Sequence, residues 1–99
     1  MMTELNATDR ARLRAQTIDE GLSRAIIAHL RGAPRAELRQ AVATFVGDAK
    51  RTMTPPQDVI ASIKAHVQRE AQPHMDAEEY PRLVELVVGW GIEEYYRER

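Results

Sequence analysis

Leu83-Val84-Glu85-Leu86-Val87-Val88-Gly89-Trp90-Gly91-Ile92 is the stretch whose reading decides the fold. At roughly 100° per residue, Leu83, Val84, Val87, Val88, Trp90 and Ile92 spread over an arc of roughly 240°, and Leu86 extends one edge. A helix packed once against a core needs an apolar stripe of about 100° or somewhat more. This helix must therefore be covered on nearly all sides, by its own chain or by a second copy. Glu85 interrupts the run, and Glu93 and Glu94 close it. It is too short for the roughly 20 apolar residues that cross a bilayer, so a transmembrane reading fails.

Outward from that helix, the remaining chain reads as shorter amphipathic helices separated by clear stops. Ala7, Ala11, Ala15, Ile18, Leu22, Ala25, Ile26, His29 and Leu30 share one stripe, with residues 1–7 as a frayed lead. Thr17-Ile18-Asp19-Glu20 fits a capping box inside that stripe. One long helix and a break near Gln16 are both compatible with the pattern. Gly32-Ala33-Pro34 ends the segment, because Gly accepts a left-handed cap and Pro cannot continue a helix. Pro34 then suits the first position of a second helix, whose stripe is Leu38, Ala41, Val42, Phe45, Val46 and Ala49. Thr54-Pro55-Pro56-Gln57 marks a third start, with Thr54 as cap, and Val59, Ile60, Ile63 and Val67 form its buried side. Gln72-Pro73 stops that helix. Pro81 disfavours a helical Tyr80, so the last helix is expected from Pro81 to about Arg97.

No sustained alternation and no Asn-Gly or Asp-Gly turn marks a strand. The fold class is all-α: a single-domain bundle of four to five short helices within 99 residues. Phe45, Trp90, Tyr80, Tyr95 and Tyr96 are the only aromatics, so Leu, Ile, Val and Ala must build the core. The chain has no cysteine, which excludes disulfides and Cys-based zinc sites and suits a cytoplasmic protein. Thr3 to Arg14 is too polar for a secretory signal. Charge is uneven: residues 1–51 carry a net +3 and residues 52–99 a net −4. Mutual attraction of the halves, within one chain or between two, is the simplest use of that asymmetry.

Chemistry-bearing motifs are sparse. His29-Leu30-Arg31-Gly32-Ala33 faintly resembles the His-x-x-Lys-Gly motif of histidine phosphotransfer domains, which would imply a helical bundle with His29 as phosphoacceptor. Its Gly comes one residue early and Arg31 replaces Lys. His66 and Glu70, at i and i+4, face one side of a helix; two ligands do not make a metal site, and a local polar contact is the simpler reading. His74, Asp76, Glu78 and Glu79 read as an acidic helix start. Arg10, Arg12, Arg14, Arg24, Arg31, Arg35 and Arg39 carry the case for nucleic acid, but they are spread around the helices and interleaved with Asp9, Asp19, Glu20 and Glu37. No phosphate loop or nucleophile–base arrangement is visible, so neither catalysis nor a cofactor is expected.

The expected function is therefore a small interaction or regulatory module, a homodimer joined through its last helix. Leu86, Val87, Trp90, Gly91 and Tyr95 are the expected contact residues, with Gly91 admitting close approach of another helix. A nucleic-acid-associated regulator using the basic half is the alternative.

Overall fold

A computed structural model describes residues 7–97, and of Ala11 only the backbone. Four helices make an all-α bundle: α1 (Ala7–Leu30), α2 (Arg35–Arg51), α3 (Pro56–Ala71) and α4 (Glu79–Tyr95), with a 3₁₀ turn at Gln72–His74. The expected lead at residues 1–6 lies outside the described residues; Ala7 is already the first residue of α1.

α1 is one unbroken helix. The Thr17 hydroxyl donates to the Leu13 carbonyl 2.9 Å away, one turn back, and so caps nothing. Its end at Gly32 follows the Schellman pattern: Ala33 N–H donates to Ala28 O (2.9 Å), Gly32 N–H to His29 O (3.0 Å), and Gly32 has φ +103°. The same pattern ends α2, where Thr54 N–H reaches Ala49 O and Met53 N–H reaches Lys50 O. Here the left-handed position belongs to Met53, at φ 58°. α2 and α3 each begin one residue later than their first proline, with Pro34 and Pro55 in extended cap positions and no side-chain cap. Thr54 turns its hydroxyl to Thr52 instead.

α4 starts at Glu79, two residues before Pro81. Pro81 is thus third in the helix, where its missing N–H would have had no intrahelical partner. Asp76 Oδ1 accepts from the N–H groups of Glu78 (2.9 Å) and Glu79 (2.7 Å), which anchors this start. At the other end, Lys50 Nζ donates to the carbonyls of Glu94 (3.4 Å) and Arg97 (3.2 Å), closing the negative end of α4 with a cation.

α1 packs on α2 and α3, and α4 packs on the same two helices, so α1 and α4 lie diagonally and so do α2 and α3. Leu22 and Ile26 from α1 meet Leu38, Val42, Phe45 and Val46 from α2 in one core. Val59, Ile63, Val67 and Ala71 from α3 and Leu83, Val87 and Trp90 from α4 complete it. Across the α2–α3 diagonal, the rings of Phe45 and His66 meet edge to face at 5.3 Å. The molecule is elongated, 51 × 34 × 21 Å, with a radius of gyration of 14.6 Å; a compact chain of this length has about 13 Å. α1 explains the excess. Its 24 residues span about 36 Å, and its side chains reach the core only from Ile18 onward.

Candidate functional site

The expected contact residues all lie on α4, at different depths. Val87 is fully buried, and Trp90 and Gly91 are buried with it in the core of their own chain. A Cβ placed on Gly91 would stand 2.7 Å from Ile63 Cδ1 and 3.7 Å from Ile60 Cδ1. The close approach that Gly91 permits is therefore that of α3. Arg39 lies over the Trp90 indole, 5.8 Å from its centre, and also pairs with Glu93 at 3.1 Å. Tyr95 is half-buried, and its hydroxyl donates to Thr54 O at 2.8 Å, tying α4 to the α2–α3 linker. Leu86, also half-buried, sits on the other flank of α4, in a cleft with His29, Arg35 and Met75. The five residues expected to form one contact surface are thus divided between the core and two flanks.

What the bundle covers only in part is a different row. Tyr80, Val84, Val88 and Ile92 recur at every fourth position of α4 and form one ridge along it. Tyr80, Val84 and Val88 are half-buried, and Ile92 is 46% exposed. Beside them, Gly89 faces open space. Across from the ridge stand Lys64 and Gln68 of α3 and Gln72 of the 3₁₀ turn, and the groove between the two rows has a volume of about 630 Å³. Glu85 lies on its α4 side. Neither Lys64 nor Glu85 has an ion-pair partner among the described residues. This row has its own signal in the sequence, an apolar residue every four, which the sheer width of the apolar arc conceals.

A second exposed element among the described residues is the start of α1. From Ala7 to Thr17 every side chain described is exposed except the half-exposed Asp9. Leu13 is 48% exposed. Arg10, Arg12 and Arg14 make no ion pair among the described residues, whereas Arg24, Arg39, Arg51, Arg69 and Arg97 each meet a carboxylate.

His66 and His29 are placed within the bundle. His66 is buried; its Nδ1 lies 2.7 Å from Ser62 O and donates to it, and its Nε2 is 3.8 Å from Asp19 of α1. Glu70 does not join His66 on a metal. Its carboxylate accepts from Arg69 Nε at 2.9 Å, and Arg69 reaches on to the Ser23 hydroxyl of α1 at 2.9 Å. That Arg69 bond holds the Glu70 carboxyl below its ordinary value against the pull of desolvation, helped by Ser23 and by the charges of Arg69 and His66. His29 sits at the end of α1 with Nδ1 buried and unbonded, so it lacks the exposed mid-helix setting of a phosphoacceptor. Among the described residues no three His, Asp or Glu side chains gather as a metal site, and no helix is long and apolar enough to cross a membrane.

Compared with protein-family models, curated proteins and solved structures, the chain matches none.

Proposed function

We propose that this chain is a small protein-interaction module that self-associates through the α3–α4 groove. The observation that carries the reading is the row Tyr80, Val84, Val88 and Ile92, of which the bundle leaves the first three half-buried and Ile92 exposed along α4. Apolar surface gains roughly 25 cal/mol for each Å² withdrawn from water, so covering what remains exposed of this row favours association. The core residues of α4 already have their partners, so the contact belongs to this row.

Sedimentation equilibrium across low to high micromolar concentration tests the proposal. The wild-type chain should associate, and Val88→Glu should hold it monomeric with helical content unchanged, because Val88 lies at the edge of the core. Trp90→Glu should instead cost the fold itself, since it places a charge among buried side chains. A wild-type chain that remains monomeric throughout this range would sink the reading.

A further inference from the structure

We infer that the cleft where α1 ends and α2 and α4 begin binds a small organic acid, an apolar group carrying one carboxylate. The cleft has a volume of about 360 Å³, at the small end of the range that holds small molecules. Leu83, Leu86 and Met75 give it an apolar side, and His29, Arg35 and Arg82 a polar one. Leu83 is buried, Leu86, Met75 and His29 are half-buried, and the two arginines are exposed. The α3–α4 groove is lined by other residues of α4, so this site does not depend on the self-association proposed above.

The arginines stand against the local field. Arg35 is the first residue of α2 and Arg82 the fourth of α4, and the positive end of a helix disfavours a cation in its first turn. Neither has an ion-pair partner among the described residues. Glu79 also lines the cleft and pairs with neither of them. α1 brings its negative end to the same place, but its Ile27, Ala28 and His29 carbonyls already accept from Arg31, Gly32 and Ala33. His29 adds a directed donor. Its Nδ1 is enclosed and unbonded, and an enclosed N–H left without an acceptor is rare. The proton of the neutral ring is therefore assigned to Nε2, the nitrogen that stays accessible. A carboxylate here takes charge-assisted bonds from guanidinium and imidazole, while its apolar tail covers Leu86 and Met75. A bare anion would leave the apolar side wet, and a neutral ligand would leave the arginines unpaired.

Titration of the full chain with hexanoate at neutral pH, followed through backbone amide shifts by NMR, tests the site. Hexanoate should give saturable shifts at His29, Arg35, Arg82 and Leu86. Hexanol, which lacks the charge, and inorganic phosphate, which lacks the tail, should each bind more weakly by about tenfold or more. Arg35→Gln and Arg82→Gln, both at exposed positions, should each weaken hexanoate by about tenfold, the worth of a hydrogen bond to a charged group. Glu79→Gln should tighten it by removing a like charge from the cleft. Shifts that stay linear in hexanoate overturn the site, as does saturable binding that persists unchanged in both arginine variants. Phosphate or hexanol binding as tightly as hexanoate overturns it too, because the ligand would then need only one side of the cleft.

Discussion

Gly89 and Gly91 stand two residues apart in one helix and do opposite things. At both, alanine would recover about 1 kcal/mol of helix propensity. At Gly89 nothing opposes that gain, because a Cβ there meets open space. At Gly91 the new methyl would press on Cδ1 of the fully buried Ile63, which must shift within the core to make room. Gly89→Ala should raise the denaturant midpoint and Gly91→Ala should not. Propensity cancels between the two, so their difference, about 1–3 kcal/mol, is the overpacking cost alone. Equal midpoints for the two variants would remove the close-contact account of Gly91. The apolar arc shows that Gly91 lies on a packed side of α4; it does not show which helix does the packing, since periodicity carries no tertiary address.

At the scale of the element, helix ends hold most of what the sequence conceals. The Schellman end of α1 is legible because glycine occupies its left-handed position. The same end on α2 is not, because Met53 takes that position, and nothing in Thr52-Met53-Thr54 announces it. A side chain in that region costs roughly 1–2 kcal/mol, and Met53 is 87% exposed, so it recovers little by packing. Met53→Gly should therefore stabilise the chain by about 1 kcal/mol, raising its melting temperature by about 4–8 °C for a domain of this size. An unchanged or lower melting temperature would show that the Met53 side chain contributes more than its exposure suggests. Pro81 misleads in a similar way. The residue before a proline avoids helix as a rule, yet Asp76 binds the first free N–H groups strongly enough to start α4 before it. The continuity of α1 follows from Thr17 bonding backward to Leu13, a choice between two acceptable partners that spacing alone leaves open.

For the whole molecule, helical class and the core stripes are legible, since they depend on local period; the interaction surface is legible only once neighbours are known. α1 with α2, and α3 with α4, form two helical hairpins whose helices pack on each other. The boundary between them, Thr52–Pro55, coincides with the change from net +3 to net −4. Arg39–Glu93, Lys50 on the end of α4 and Asp19 beside His66 all cross it. Because α2 and α3 lie diagonally, that linker joins helices that share little surface, and the contacts holding the molecule together run between hairpins. The chain is in effect a heterodimer on a tether. Its two halves, 1–53 and 54–99, should recombine one to one when supplied separately. Mixing them should give more helix by circular dichroism than their sum, and their affinity should fall as salt screens the exposed pairs. Fragments that gain no helix on mixing would mean that the linker does more than connect. Its thermodynamic role is otherwise that of an effective concentration, turning a bimolecular encounter into one that short flexible linkers set in the millimolar range.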